Sequence, residues 1–147
     1  MKTELQQTLL KKFPQLFTTE RKIYTDEDDI QELFNQDEII LPIQFGFECG
    51  DGWFMILDTL MNTIESHLNP ENSWPRKERI PFEIIQIKEK FGGLRFYYNG
   101  GDEEVRGMVN LAENMSYNIC ERCGSTKNVT QTTGWIYTLC EDCIKCQ

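Results

Sequence analysis

Two pairs of cysteines near the C-terminal end constrain the fold of this chain more than any other feature. Cys120 and Cys123 form one Cys-x-x-Cys pair, and Cys140 and Cys143 form a second pair after sixteen intervening residues. This spacing is typical of a four-thiolate zinc site, in which each pair brings two sulfur atoms round one tight turn. Four protein ligands leave no position open for water, so the predicted Zn²⁺ is structural and not catalytic. The alternative interpretation is a set of free or disulfide-bonded thiols.

The compartment that the sequence suggests agrees with a metal site. Residues 1–4 lead into a charged helical pattern and not into the apolar run of a signal peptide. No apolar run approaches the roughly 18 residues that cross a bilayer. We therefore expect a cytoplasmic protein without a membrane partner, and in a reducing cytosol paired cysteine motifs favour a metal over disulfides. Cys146 repeats the Cys-x-x-Cys step after Cys143 and is an alternative fourth ligand.

Hydrophobic periodicity predicts four helices before the cysteines. In these segments apolar residues recur at intervals of three or four, and a proline or a capping acid marks an end. Asp51 is the predicted N-cap of the central helix, and Asp102 is that of the last one. The predicted helices cover residues 3–13, a short segment after the acidic cap Thr25–Asp28, Trp53 to about Leu68, and Asp102 to near Tyr117.

The stretch around Gly92-Gly93 carries the clearest strand signal, because two apolar runs flank these glycines. With the glycines as a two-residue turn, Phe91 lies opposite Leu94 and Lys88 lies opposite Tyr97. Since side chains alternate between the two faces of a strand, this register places one apolar set toward the core. The predicted core face comprises Ile85, Ile87, Phe91, Leu94, Phe96 and Tyr98.

Together these patterns predict an α+β fold, in which helices pack an antiparallel β-hairpin or small sheet. Residues 1–117 form the predicted α+β body, and residues 118–147 form a C-terminal zinc ribbon. Within the ribbon, Val129–Gln131 and Trp135–Leu139 are the predicted strands. Trp135 and Ile136 are expected to cover the metal site.

The net charge of −9 is unevenly distributed along the chain. Residues 23–75 hold twelve acidic side chains and no lysine or arginine, whereas residues 76–98 hold six basic side chains and three acidic ones. Blocks of opposite charge in one domain indicate a bipolar surface. The acidic block would repel nucleic acid, and the basic block would attract an anion or an acidic partner.

The outer face of the predicted hairpin is the candidate binding surface. It carries Lys88, Lys90, Arg95 and Tyr97, which place three cations beside one aromatic ring. Such a set suits phosphates, a nucleobase stacked on Tyr97, or the acidic surface of a protein. The alternative interpretation is an ordinary solvated sheet face, on which lysine and arginine also protect a strand edge from aggregation.

Cys49 and His67 are the two residues that could act as nucleophile and base if the protein were an enzyme. His67 is the only histidine, lies near the end of a predicted helix and has no evident third partner. Cys49 precedes Gly-Asp-Gly at a predicted helix start. The chain contains no glycine-rich phosphate loop, no His-Glu-x-x-His and no Gly-x-Ser-x-Gly pattern. We therefore predict that the protein is not an enzyme.

Five segments of the chain form a recognisable combination, and they are Phe45–Trp53, Ile87–Tyr97, Ala112–Ser116, Cys120–Gly124 and Thr138–Cys143. Together they resemble small proteins found in bacteriophage and prophage genomes. The combination spans residues 43–143 and is more specific than any single segment. The resemblance implies a phage or mobile-element origin and carries over no catalytic residue, while the C-terminal part also resembles zinc ribbons in general.

These observations favour a non-enzymatic, zinc-stabilised binding protein that docks on a host protein or captures an anionic nucleotide ligand. By analogy with small phage accessory proteins, it is a candidate antagonist of host defence. One alternative is a zinc-ribbon protein that binds nucleic acid, although the charges of the ribbon balance and give no basic footprint. A second alternative is an acidic inhibitor in which residues 23–75 imitate the phosphate backbone of DNA.

Overall fold

The computed structural model describes residues 1–17, 46–72 and 78–146. Within these ranges the chain combines helices with two small sheets, so the predicted α+β class is confirmed. The predicted helix after Thr25–Asp28 lies outside the described residues, as do seven of the twelve acids of the acidic block.

The helices are α1 (Thr3–Lys12), α2 (Phe54–Leu68), α3 (Glu103–Ser116) and α4 (Glu141–Lys145). As predicted, Asp102 caps α3, because its carboxylate accepts a 3.1 Å hydrogen bond from the N–H of Val105. The prediction for Asp51 is wrong. Its carboxylate accepts the N–H of Lys2 at 2.7 Å instead, and one 3₁₀ turn, Asp51–Trp53, precedes α2.

A three-stranded sheet forms the second layer of the body, with strands β1 (Phe47–Glu48), β2 (Phe82–Lys90) and β3 (Gly93–Gly100) in that order. β1 pairs with β2 in parallel, and β2 pairs with β3 as an antiparallel hairpin. A separate two-stranded antiparallel sheet, β4 (Val129–Gln131) and β5 (Thr138–Cys140), lies among the cysteines.

The hairpin turns one residue earlier than Gly92-Gly93, so the predicted register is wrong. Its loop is Phe91-Gly92, whose φ angles of 53° and 74° are both positive, as the type I′ turns of hairpins require. This turn is favoured because its twist matches that of the two strands. Lys88 consequently lies opposite Arg95 and not opposite Tyr97.

Gly93 is the first residue of β3. Packing, and not the geometry of the turn, requires a glycine at this position. A Cβ atom at this position would lie 2.4 Å from the hydroxyl oxygen of Tyr117. The Gly-Gly pair in the sequence therefore combines two separate requirements, a left-handed turn residue and a close approach of an aromatic side chain.

The core face of β2 also differs from the predicted alternation. The pairing shifts between Ile84 and Gln86, which leaves Ile85 as the extra residue of a β-bulge. Because of this bulge, Ile84 and Ile87 are both buried and Ile85 is exposed. Phe91, in the turn, is 67% exposed and leaves the core as well.

The core lies between the sheet and the helices α2 and α3, which run antiparallel. At one end of the pair, Nε1 of the buried Trp53 donates to the carbonyl of Ile119 at 2.9 Å. At the other end, His67 contacts Asp102. Met115 is exposed on the outer side of α3. Buried residues of these layers include Leu57, Leu60, Met61, Ile64, Leu68, Ile87, Leu94, Phe96, Val105 and Val109.

The left-handed conformation of Phe91 predicts a stabilising substitution. We expect Phe91→Asn to raise the free energy of unfolding by about 1 kcal/mol, since asparagine tolerates positive φ and the exposed ring contributes little burial. Phe91→Val should lower it, because a β-branched side chain is strained at this φ. Thermal unfolding, followed by circular dichroism, measures both. Equal effects of the two variants would contradict the turn assignment.

Candidate metal centre

The four cysteines of the two pairs lie together in the folded chain. The sulfur atoms of Cys120, Cys123, Cys140 and Cys143 all lie within 4.8 Å of one another. Those of Cys123 and Cys140 are 3.6 Å apart, and all four residues are free thiols. Four sulfur atoms at such distances can hold one metal ion in a tetrahedral shell.

A tight backbone turn brings the first pair of cysteines together. The N–H of Gly124 donates to the carbonyl of Cys120 at 2.8 Å, and the N–H of Cys120 donates to the carbonyl of Ser125 at 2.8 Å. Gly124 has a φ of 77°, a conformation that glycine adopts without strain. The turn thereby directs the side chains of Cys120 and Cys123 to the same side.

The second pair of cysteines stands where a strand becomes a helix. Cys140 is the last residue of β5, and Cys143 lies in the short helix α4 that follows directly. Antiparallel pairing of β5 with β4 places Cys140 opposite Val129. The hairpin therefore returns the second pair to the first across the sixteen intervening residues.

The environment of Cys120 favours the thiolate form that a metal requires. Burial alone would raise its pKa, but the backbone N–H groups of Cys140, Cys123 and Arg122 are directed at its sulfur. These donors outweigh the burial and lower the pKa of Cys120 to about 7. A thiolate is the metal-binding form of cysteine, so these donors favour Cys120 as a ligand.

The small core around the cysteines contains other residues than predicted. Leu139 is buried and Val129 half-buried against Cys120 and Cys140. Trp135 is 77% exposed, so the prediction that it covers the site is wrong. The reason is that β5 begins only at Thr138, which leaves Trp135 in the exposed loop between the two strands.

The turn that holds Cys120 and Cys123 packs directly against the backbone of two glycines that precede α2. The N–H of Gly52 donates to the carbonyl of Glu121 at 2.7 Å, and the N–H of Gly50 donates to Oε1 of Glu121 at 2.8 Å. A Cβ atom at Gly52 would lie 2.2 Å from the carbonyl oxygen of Cys120. Sequence reasoning treated Gly50-Asp51-Gly52 only as a helix start, although two glycines flanking one residue are a signal of close backbone approach.

A second contact joins residues 118–146, here called the cysteine module, to the turn of the β2–β3 hairpin. The hydroxyl of Thr138 donates to the carbonyl of Gly92, and Nε2 of Gln131 donates to the carbonyl of Phe91 at 3.5 Å. Thr138 is completely buried, and its own carbonyl accepts the N–H of Glu121 at 2.9 Å. The cysteine module is thus held against two parts of the body.

The four residues of the candidate binding surface share the outer face of the hairpin, as predicted from alternation. Lys88 and Arg95 are directly opposite each other, and the Nζ of Lys88 lies 5.0 Å from the ring centroid of Tyr97. Lys90 and Tyr97 are exposed, with Lys90 at the end of β2 next to the turn.

Two neighbours of this surface were missed from the sequence. Tyr117 accepts a 2.9 Å hydrogen bond from the guanidinium group of Arg95, which also donates to the carbonyl of Leu94 at 2.7 Å. Glu48 of β1 is the parallel-pair partner of Lys88 and adds one acid beside the cations. Neither residue is close to the hairpin in sequence, so no local pattern could have indicated them.

Cys49 and His67 are not brought together as nucleophile and base. Cys49 precedes α2 and His67 lies in its last turn, so the length of that helix, about 20 Å, separates them. Burial raises the pKa of Cys49 to about 12, which keeps the thiol protonated at neutral pH. Nε2 of His67 instead lies 2.8 Å from a carboxylate oxygen of Asp102, the N-cap of α3.

The same two residues belong to a second group that can hold a metal ion. His67, Asp102 and Glu104 have potential ligand atoms within 4.8 Å of one another. Asp102 already accepts from the N–H of Val105 and contacts the imidazole with both oxygens. Capping of α3 and the tie between the ends of two helices account for Asp102 and His67.

Comparisons of the chain with protein-family models, with curated proteins and with solved structures find no significant match. Among the described residues, no helix combines the length and the apolar character that a bilayer crossing demands. Function is therefore inferred from the geometry of the cysteine cluster and of the surfaces around it.

The close approach at Gly52 predicts that a single methyl group will disrupt the contact between the cysteine module and the body. We expect Gly52→Ala to lower the free energy of unfolding by at least about 2 kcal/mol, because the added Cβ overlaps backbone atoms that cannot move independently. Gly107→Ala is the matched control. A Cβ there meets nothing within 4 Å, and alanine in a helix interior is favoured by about 1 kcal/mol. Denaturant unfolding that ranks the two variants alike would contradict the described contact.

Proposed function

We propose that this protein is a zinc-stabilised binding module without enzymatic activity, which docks on an acidic surface of a partner protein. The observation that carries the proposal is the outer hairpin face of Lys88, Lys90, Arg95 and Tyr97. It presents three cations and an aromatic ring on a rigid sheet that the cysteine module supports from one end.

The proposal of zinc rests on the ligand chemistry. Four cysteine sulfurs in a tetrahedral arrangement select zinc or an iron–sulfur centre over the metals that prefer oxygen. A closed set of four thiolates without a water position is the usual structural zinc site. Residues 118–147 would then form a zinc ribbon whose folding free energy comes largely from the metal, on the order of 10 kcal/mol.

Cross-strand pairing supports an anionic partner for the hairpin face. Lys88 and Arg95 are directly opposite each other, and like charges at opposed positions destabilise a sheet. Glu48 on the neighbouring strand offsets only part of this charge. A carboxylate from a partner would relieve the repulsion and hydrogen-bond to the cations, so binding and hairpin stability would reinforce each other.

The shape of the face supports a protein partner over a small nucleotide. A nucleotide site is normally a concave cleft, whereas these four side chains stand on the outer side of a sheet. Arg95 is held in place by Tyr117, which reduces the side-chain entropy lost on docking. A phage or mobile-element origin, which the sequence resemblance implies, would make a host protein the natural partner.

Metal analysis tests the proposed zinc ribbon. We expect one zinc ion per chain, retained in Cys146→Ser and lost in Cys143→Ser, because Cys143 and not Cys146 belongs to the sulfur cluster. Strong chelators should unfold the cysteine module, as judged by near-ultraviolet circular dichroism. Iron in place of zinc, or equal zinc content in both variants, would refute this part of the proposal.

Affinity capture from a nuclease-treated bacterial lysate tests the binding face. We expect immobilised wild-type protein to retain a partner that Lys90→Glu and Tyr97→Ser lose, because both side chains are exposed on the face. Lys127→Glu is the matched control, since it makes the same charge change on an exposed residue of the cysteine module. Loss of the partner with Lys127→Glu as well would indicate nonspecific charge attraction.

The same experiment distinguishes other ligands. Loss of all capture after nuclease treatment would favour a nucleic-acid partner, and displacement of the partner by millimolar ATP would favour a nucleotide ligand. Either result would overturn an acidic protein surface as the partner. Thermal unfolding of each variant, compared with wild type, confirms that the substitutions act on binding and not on folding.

A further inference from the structure

A polar cavity lies where the cysteine module meets the segment that precedes α2. It has a volume of about 480 Å³, which is within the usual range of small-molecule sites in proteins. Both sides of the junction contribute to its lining, which consists of Gly50, Asp51, Glu121, Arg122, Tyr137 and Leu139. None of these residues belongs to the sulfur cluster or to the cationic hairpin face.

Glu121 brings a buried carboxylate to this cavity. The residue is 8% exposed, and its Oε1 accepts the N–H of Gly50 at 2.8 Å. Its other oxygen, Oε2, is the one buried side-chain oxygen or nitrogen among the described residues that has no hydrogen-bond partner. A buried carboxylate oxygen without a donor destabilises the fold, because it has lost the water that solvates it in the unfolded chain. The adjoining cavity is the place from which a ligand could supply the missing donor.

The second carboxylate of the lining is already paired. Oδ1 of Asp51 accepts the N–H of Lys2 at 2.7 Å, and Oδ2 lies 3.4 Å from Nζ of Lys2. Glu121 is therefore the carboxylate that the cavity offers to a cation. Ca²⁺ and Mg²⁺ bind through several oxygen ligands, whereas an ammonium group carries a single charge and can donate to one carboxylate. The lining thus favours a primary ammonium group over a divalent cation.

An arginine on the same cavity carries the opposite charge. The guanidinium group of Arg122 donates from Nη1 to the carbonyl of Cys143 at 3.2 Å, and the residue is exposed. Within the described part of the chain, no carboxylate forms an ion pair with Arg122. A guanidinium group binds a carboxylate through two parallel hydrogen bonds. A ligand that carries both an ammonium group and a carboxylate would therefore match both charged groups of the cavity.

The remaining side chains of the lining are apolar or aromatic. Tyr137 directly precedes β5 and is 38% exposed, and Leu139 lies within β5 and is buried. Small-molecule sites commonly combine such an apolar wall with a few polar groups that fix the orientation of the ligand. An aliphatic or aromatic side chain on the ligand would suit this wall.

We propose that this cavity binds a free α-amino acid with an apolar side chain. Its ammonium group would donate to Oε2 of Glu121, its carboxylate would pair with Arg122, and its side chain would pack against Tyr137 and Leu139. Because the segment before α2 and the cysteine module both line the cavity, the ligand would also stabilise the contact between them. This site is separate from the cationic hairpin face and does not depend on the function proposed for that face.

Isothermal titration calorimetry on the full-length protein tests the proposal. The probes are L-phenylalanine and L-leucine, and we expect a dissociation constant below about 1 mM for at least one of them. N-acetyl-L-phenylalanine lacks the ammonium charge, and L-phenylalaninamide lacks the carboxylate. Each analogue should bind at least about tenfold more weakly than L-phenylalanine, because each loses one charge-assisted contact.

Variants locate the binding site. Arg122→Gln should weaken binding of L-phenylalanine by about tenfold and leave that of L-phenylalaninamide unchanged, a selective effect that misfolding cannot produce. Glu121→Gln keeps an acceptor for the N–H of Gly50 and should weaken both of these ligands, since both carry the ammonium group. Lys127→Gln is the matched control, because it removes an exposed charge of the cysteine module outside the cavity and should leave binding unchanged.

Any of three results would overturn the proposal. Failure of both amino acids to bind would mean that an ordered water molecule satisfies Oε2 of Glu121. Equal affinity for L-phenylalaninamide and L-phenylalanine would mean that the cavity takes a simple amine and that Arg122 has no part in binding. Equal weakening of these two ligands by Arg122→Gln would mean that the substitution acts through the fold.

Discussion

The contact between Gly50–Gly52 and the backbone of Cys120–Glu121 is the constraint on which the rest of the arrangement depends. It leaves no room for a side chain on the body, and it uses the same turn that directs two sulfurs at the metal position. The start of α2, the end of α3 and the cysteine module therefore meet at one point. A metal bound by the four cysteines would order this turn and, through it, the ends of the two core helices.

The cysteine module also borders two exposed surfaces of the body. On one side, the cysteine module supports the hairpin turn through Thr138, which positions the cations of β2 and β3. On the other side, it closes an apolar groove between α2 and α3. A metal held by the four cysteines would be a scaffold in this sense, because protein ligands would fill its coordination shell, while the cationic hairpin face consists of residues outside the cluster.

The sheet shows which structural features a local sequence pattern predicts correctly and which it does not. Alternation correctly placed Lys88, Lys90, Arg95 and Tyr97 on one face, because these residues lie on the regular side of the bulge. It failed at Ile85 and Phe91, where a one-residue irregularity reverses which side chains face the core. A glycine pair signals a turn, but it does not show that only Gly92 lies in the turn and that Gly93 is the residue against which Tyr117, distant in sequence, packs.

The sequence by itself determined the α+β class, the approximate positions of the three long helices that the structure describes and the identity of the four clustered cysteines. Each of these follows from short-range periodicity or from spacing, which act within a few residues. Only the tertiary structure decided the strand register, the separation of Cys49 from His67, the role of Gly50 and Gly52, and the exposed groove of methionines. These depend on contacts between segments up to about seventy residues apart, such as that of Gly50 with Glu121, for which a local pattern holds no information.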